Sequence, residues 1–136
     1  FQIGLRGTGY APEDFDWSRQ QGFTVVQAEE CWHKSLVPLM EQVRARIGDT
    51  PVYLTYDIDS LDPAFAPGTG TPEPGSLSTH TGLGIIRGLG DLNMVGEDVV
   101  EVSPANDKAE ITAIAAAHVA ADMLCLMRNK KVAGKL

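Results

Sequence analysis

Apolar and polar positions follow two alternating patterns along the chain: short apolar runs, which are typical of strands, and longer runs at helical spacing. The short runs predict four strands: FQIGLR (1–6), FTVVQA (23–28), PVYLTYDI (51–58) and MVGEDVVEVSP (94–104). PVYLTYDI is apolar nearly throughout, which is typical of a strand covered on both faces. We therefore expect the third strand to lie inside the protein.

A helical pattern follows each predicted strand. Helices are expected at 12–21, at 35–47, from Ser78 or Thr79 onward, and at 110–127. Gly48 would end the second helix, and a serine or threonine would cap the third. The last helix is alanine-rich and is expected to be amphipathic, and the basic tail RNKKVAGKL after it is expected to fray. The alternation predicts an α/β fold with a parallel sheet and helices on both faces.

Composition and charge exclude several classes of partner. The 136 residues are 43% hydrophobic and 21% charged, as in an ordinary globular domain. With 11 basic against 18 acidic residues, the net charge is −7, and no basic stripe exists to bind nucleic acid. No apolar run is expected to reach the roughly 18 residues of a membrane span. Cys31 and Cys125 match no zinc or redox spacing, which predicts a reducing, intracellular compartment, cytoplasmic or mitochondrial.

The segment TYDIDSLDPAFAPGTGTPEPGSLS (55–78) contains the candidate chemistry. Asp57, Asp59 and Asp62 would repel one another unless a cation or a turn accommodates them. Asp57 and Asp59 follow a predicted buried strand, at the edge where sites of parallel sheets gather, and in an extended chain both would point the same way. Carboxylates favour magnesium, calcium or manganese over zinc and can bridge paired metals. The alternative is that these aspartates only cap turns.

Prolines and glycines between positions 63 and 75 predict a rigid loop after the aspartates, suited to the wall of a binding site. Thr69 and Thr71 would offer hydroxyls toward whatever the carboxylates bind. Glu101 interrupts the valines of the fourth strand, so it lies either at the polar end of that strand or buried and paired. From the strand end, it would suit a planar guanidinium. Arg6 ends the first strand.

The 55–78 segment resembles the signature of the ureohydrolases, the arginase and agmatinase family. FQIGLRG, AEECWHKSLVPLM and DVVEVSPANDKAEITA resemble the segments around that signature in agmatinase-like members. The resemblance implies a three-layer α/β/α fold with a mostly parallel sheet, of which residues 1–136 would be the C-terminal part of a single domain. It also implies hydrolysis of a guanidino compound to urea and an amine. Agmatine, which gives putrescine, is the first choice, and guanidinobutyrate or a related guanidino acid is the alternative.

The resemblance implies roles for individual residues. Asp57 and Asp59 match ligands of two Mn²⁺ ions, with Asp57 in the bridging position. Glu101 matches the glutamate that receives the substrate guanidinium, and Asp62 is interpreted as a turn residue. A homo-oligomer is expected for the full-length enzyme.

The family's other motifs do not occur in this sequence. The G-G-D-H and D-A-H-x-D segments, which carry further metal ligands, are absent, and His33, His80 and His118 do not match the proton-shuttling histidine. The chain is therefore expected to be the C-terminal half of an enzyme and inactive alone, with His80 a candidate for the rim of the site.

Smaller departures from the family pattern occur at Ser76, Gly82 and Asn106. Two rival interpretations are an inactive member that binds a metal or ligand, and a calcium-binding domain. The calcium-binding rival lacks the glycine and the terminal glutamate of an EF-hand loop.

Overall fold

The computed structural model describes residues 1–7, 11 and 13–133, apart from the side chains of Phe15 and residues 129–133. Strands and helices alternate along this part of the chain: β1 (Gln2–Leu5), α1 (Asp14–Gln20), β2 (Val25–Gln27), α2 (Val37–Ile47), β3 (Pro51–Asp57), α3 (Thr79–Gly88), β4 (Asn93–Val100) and α4 (Ile111–Ala133). Each predicted strand and helix is confirmed, with shifted ends. Pro12, where the first helix was expected to begin, lies outside the described residues.

The strands pair in parallel, as predicted, but they do not form one sheet. Within the described residues, β1 pairs with β2 and β3 pairs with β4, which gives two two-stranded sheets. A cleft of about 300 Å³ is lined by residues of both sheets and of the neighbouring helices, among them Ile3 and Leu5 of β1 and Val52 and Leu54 of β3. The predicted α/β class with parallel strands is therefore confirmed, whereas a continuous sheet through all four strands is not observed in this part of the chain.

The side chains of β3 alternate between the core and solvent. Tyr56 is buried and Val52 and Leu54 are half-buried against the core, whereas Tyr53 is 62% exposed. The prediction that this strand is covered on both faces is wrong for the described structure. A tyrosine can occupy the open face because its polar tip stays satisfied there: the Tyr53 hydroxyl donates to Asp98 Oδ2 at 2.8 Å.

The core collects apolar side chains from three helices and from the residues that flank the Pro/Gly loop. Fully or nearly fully buried members include Met40 and Val43 of α2, Ile86 of α3, Val119 and Met123 of α4, and Ile58, Leu61 and Leu77. A Cβ at Gly82 would lie 2.4 Å from the Tyr56 hydroxyl oxygen. The departure at Gly82 therefore has a structural reason, because only glycine lets α3 approach β3 this closely.

Helix α4 is longer than predicted. It continues to Ala133, so the expectation that the tail frays from Arg128 onward is wrong for its first six residues. Lysine and arginine are good helix formers and are favoured near a helix C-terminus, where they offset the helix dipole. Residues 134–136 lie outside the described part.

Apolar side chains of α4 point both inward and outward. Val119 and Met123 are buried, whereas Ile114 is 57% and Leu124 is 61% exposed, so the expected amphipathic pattern is not observed. The stretch Ile111–Arg128 is also long and apolar enough to cross a membrane by length and composition, contrary to our expectation, although core helices of soluble proteins pass the same test.

Candidate metal and substrate site

Asp57 is the last residue of β3, and Asp59 lies in the single 3₁₀ turn Ile58–Ser60 that follows. The Asp57 side chain caps this turn, because its Oδ1 accepts a hydrogen bond from the Asp59 backbone N–H at 3.0 Å. The expectation that both aspartates belong to one extended segment is therefore wrong. They are neighbours because the chain turns immediately after the strand.

Asp57 lies in a half-buried, negatively charged environment. Burial raises the pKa of its carboxyl group above the ordinary value, and the backbone N–H of Asp59 opposes this effect. The nearby carboxylates of Asp59 and Glu101 raise the Asp57 pKa further. The strand ends thus concentrate negative charge at a partly desolvated position, an arrangement that a bound cation would stabilise.

Asp59 is 9% exposed, and both of its side-chain oxygens accept hydrogen bonds. Arg6 Nη1 donates to Oδ1 at 3.1 Å, and the Thr71 hydroxyl donates to Oδ2 at 2.7 Å. Arg6 Nη2 also donates to the Asp59 main-chain carbonyl. Thr71 was expected to offer its hydroxyl to whatever the carboxylates bind, and in this structure it bonds to the Asp59 carboxylate itself. Sequence reasoning noticed Arg6 as a strand-end residue but missed this contact.

Glu101 lies one residue beyond β4, at the polar end of the strand, and is exposed. This observation decides between the two alternatives left open by the sequence. Its backbone is in the left-handed region, with φ = 64°. The Thr69 hydroxyl donates to the Glu101 carbonyl at 2.9 Å, and the Ser103 N–H donates to the Gly68 carbonyl at 2.8 Å. The Pro/Gly loop is thus fastened to the segment that carries Glu101.

Asp62 shapes the loop, as predicted. Its carboxylate accepts hydrogen bonds from the backbone N–H groups of Ala64 at 2.9 Å, Gly75 at 2.8 Å and Ser76 at 3.3 Å. These N–H groups, that of Ala64 foremost, lower the pKa of Asp62 below its ordinary value. The Ser76 hydroxyl donates to the Glu73 carbonyl at 2.7 Å, so the departure at Ser76 adds a hydrogen bond inside the loop.

Three further residues hold the loop in place and were missed as site residues. The Thr112 hydroxyl accepts from the Gly68 N–H at 2.7 Å, and Asp107 packs so tightly on Gly68 that a Cβ there would lie 2.4 Å from the Asp107 Cβ. Asn106 Nδ2 donates to the Thr69 carbonyl at 3.4 Å. The family departure at Asn106 was visible in the sequence, but no sequence pattern indicated its partner.

The histidines lie away from these carboxylates. His33 and His80 line a separate cavity of about 690 Å³ beside α2 and α3, whose lining includes none of Asp57, Asp59 and Glu101. His118 is exposed and borders an apolar groove. The expectation that His80 lines the rim of the carboxylate site is therefore not supported.

The donor chemistry fits part of a manganese site. Asp57 and Asp59 offer carboxylate oxygens. Mn²⁺ prefers oxygen ligands of this kind and binds them in octahedral coordination. Among the residues that the structure describes, no group of three or more His, Cys, Asp or Glu side chains is arranged to hold a metal ion. Two aspartates can therefore supply only part of a coordination sphere.

Parallel strands, alternating helices and carboxylates at the strand ends define an α/β protein with a candidate cation site at the C-terminal ends of β3 and β4. Within that class, the chain belongs to the Arginase family, whose model matches residues 1–125.

Individual relatives agree with this assignment. The chain is 58% identical over 126 residues to a guanidinobutyrase of Pseudomonas aeruginosa, and 54% identical over 130 residues to a mitochondrial agmatinase of Gallus gallus. These matches cover 93% and 96% of the chain. A hypothetical agmatinase from Burkholderia thailandensis has a similar structure, with a TM-score of 0.84 and 48% identity over 98% of the chain.

The chain spans only part of these proteins. It covers 40% of the guanidinobutyrase, 38% of the chicken agmatinase and 40% of the Burkholderia structure.

Proposed function

We propose that the protein hydrolyses a linear guanidino compound to urea and an amine in a dinuclear manganese site to which Asp57 and Asp59 contribute ligands. The parallel register of β3 and β4 carries this proposal. It sets Asp57 opposite Val100, so the aspartates and Glu101 lie at one edge of the sheet. Relatives named for guanidinobutyrate and agmatine hydrolysis support the reaction class.

Each side chain has a separate task in this proposal. Asp57 and Asp59 would hold the metal ions, Asp57 as the ligand shared by both and Asp59 as a ligand of one, and together they would fix where the metals sit. Manganese held there would supply a water of lowered pKa at neutral pH. Glu101 accepts two parallel hydrogen bonds from the substrate guanidinium and orients its carbon toward the metal edge of the site. The rigid loop holds Asp59 and Glu101 in fixed relation, because Thr71 bonds to the first and Thr69 to the second.

Agmatine is our first choice of substrate, and 4-guanidinobutyrate is the alternative. The two compounds share the guanidinium that Glu101 would bind and differ at the far end, an amine in one and a carboxylate in the other. The net charge of −7 favours the cationic end of agmatine. The high identity to a guanidinobutyrase supports the alternative.

The experiment is a urea-release assay on the protein expressed from its complete gene. It compares agmatine, 4-guanidinobutyrate and arginine, before and after removal of metal by a chelator. We expect agmatine to give the highest kcat/KM, chelation to abolish turnover, and added Mn²⁺ to restore it. Preference for 4-guanidinobutyrate would establish the alternative. Manganese binding without urea from any of the three would favour the inactive-member interpretation.

Two further properties remain predictions. We expect the protein to act inside the cell, and relatives named as mitochondrial keep both the cytoplasm and the mitochondrion open. We also expect a homo-oligomer, which size-exclusion chromatography with light scattering would test.

A further inference from the structure

Arg6 connects the two sheets at the candidate site. It follows β1, whereas its partner Asp59 follows β3, and the two residues are 53 positions apart in sequence. The side chains are only 15% and 12% exposed, so the ion pair is largely desolvated. The remaining Arg6 Nε–H is buried and has no hydrogen-bond partner within the described structure, so the observed bonds of this guanidinium all go to Asp59.

The contact has a two-point geometry. One Arg6 nitrogen donates to the Asp59 carboxylate and the other to the main-chain carbonyl of the same residue. Such a fork restrains both the rotation of the side chain and the position of the backbone turn that carries it. Thr71 holds the second carboxylate oxygen, so Asp59 is fixed from both sides before any ligand arrives.

We propose that Arg6 is a positioning residue for the metal ligand Asp59, an inference that rests on the function proposed above. It touches neither substrate nor metal in this proposal and acts through the orientation of one carboxylate. Outer hydrogen-bond partners of metal ligands commonly contribute about 10- to 100-fold to metal affinity, because a pre-oriented ligand loses less freedom on binding.

Two physical effects of Arg6 oppose each other, and this makes the inference testable. As a positioning group, the guanidinium should strengthen metal binding. As a positive charge close to a divalent cation, it should weaken metal binding by repulsion. We infer that positioning dominates, since the fork engages both the side chain and the main chain of Asp59.

The test measures Mn²⁺ affinity by equilibrium dialysis and electron paramagnetic resonance, with no substrate present, on the protein expressed from its complete gene. Arg6→Lys keeps the charge but cannot reproduce the planar fork, and Arg6→Met removes the charge while keeping much of the stem. We expect the Mn²⁺ dissociation constant of the ion held by Asp59 to rise about tenfold in both variants.

Arg87→Met is the matched control, because it breaks the Arg87–Asp122 ion pair, which involves neither Asp59 nor its loop. Its affinity should stay within about twofold of wild type.

The possible results distinguish a failure of the positioning role of Arg6 from a failure of the proposed function. Wild-type affinity in Arg6→Lys with tighter binding in Arg6→Met would show that Arg6 acts through charge alone and would overturn the inference. If Arg6→Met does not fold, Arg6→Lys decides, and wild-type affinity there overturns the inference as well. A wild-type protein that binds no Mn²⁺ would contradict the proposed function itself, and the inference with it.

Discussion

Asp57 is paired in register with Val100 across the parallel strands β3 and β4, so Glu101 begins one step beyond Asp57 at the same edge of the sheet. The backbone of Glu101 is in the left-handed conformation, which costs a non-glycine residue about 1–2 kcal/mol. This turn brings the side chain toward the Pro/Gly loop, where Glu101 Oε2 would lie 3.8 Å from a Cβ at Gly70. Unfavourable backbone conformations of this kind often occur where function fixes a side chain.

The left-handed conformation of Glu101 predicts that its replacement by glycine raises the stability of the protein and removes its activity. Glu101→Gly should raise the free energy of unfolding by about 0.5–1 kcal/mol, the relief of the left-handed penalty less the entropy cost of glycine. It should also abolish urea release. Glu110 has a similar φ of 57° at the start of α4 and gives the matched control. Glu110→Gly should be stabilised to a similar extent and keep its activity. Urea-induced unfolding and the activity assay check both, and a destabilised Glu101→Gly protein would contradict the argument.

Replacement of Glu101 by glutamine tests its role in substrate binding separately. Glu101→Gln keeps the size of the side chain but removes the charge that pairs with a guanidinium. A hydrogen bond between charged groups of this kind contributes roughly 1.5–3 kcal/mol. We expect kcat/KM to fall at least tenfold while bound manganese per chain is unchanged. Loss of manganese in this variant would assign Glu101 to the metal instead of the substrate.

Two glycines of α3 predict opposite effects of the same substitution. Gly82→Ala should destabilise the protein by about 1–3 kcal/mol, because its Cβ would lie 2.4 Å from the Tyr56 hydroxyl and 3.0 Å from a Leu61 methyl group. At Gly84, the nearest atom to an added methyl group is Leu36 Cδ1 at 3.8 Å, an ordinary contact. Gly84→Ala should therefore stabilise the helix by up to about 1 kcal/mol. Thermal unfolding of the two variants checks the packing of α3 on β3, and equal effects would contradict it.

The sequence was sufficient to predict the order of strands and helices, the parallel direction of the strands and the loop role of Asp62. The strands and helices depend on local patterns such as apolar spacing and a helix-capping serine at Ser78, whereas the turn role of Asp62 was inferred from the family resemblance, in which it has no metal-binding counterpart. The Ser78 hydroxyl does accept from the Thr81 N–H at 3.1 Å. The contacts of Arg6, Thr112 and Asn106 were not predictable, because each joins segments far apart in sequence. The two separate sheets and the exposed face of β3 depend on tertiary neighbours in the same way.

The depressed pKa of Asp62 predicts how the loop responds to acid. Because the folded pKa lies below the unfolded value of about 3.9, this carboxylate contributes stability above that value and loses it as pH falls through the folded pKa. Asp62→Asn removes the titration, so its stability should fall less than that of the wild type between pH 6 and pH 3. Chemical unfolding at the two pH values measures this difference. An equal or larger fall in Asp62→Asn would mean that the three backbone hydrogen bonds do not favour the ionised carboxylate.

The division of work among the three aspartates is the central claim, and bound manganese per chain is its most direct test. The protein expressed from its complete gene is compared with Asp57→Asn, Asp59→Asn and Asp62→Asn. A neutral amide at position 57 cannot offset two divalent charges, so the binding of both ions should weaken together. Asp59→Asn should weaken mainly one ion, with activity partly restored at high Mn²⁺ concentration. Asp62→Asn should keep nearly all its manganese, since asparagine also accepts backbone hydrogen bonds in turns. If Asp62→Asn loses metal as completely as Asp57→Asn, or if none of the three variants changes metal content, the assignment of this site is contradicted.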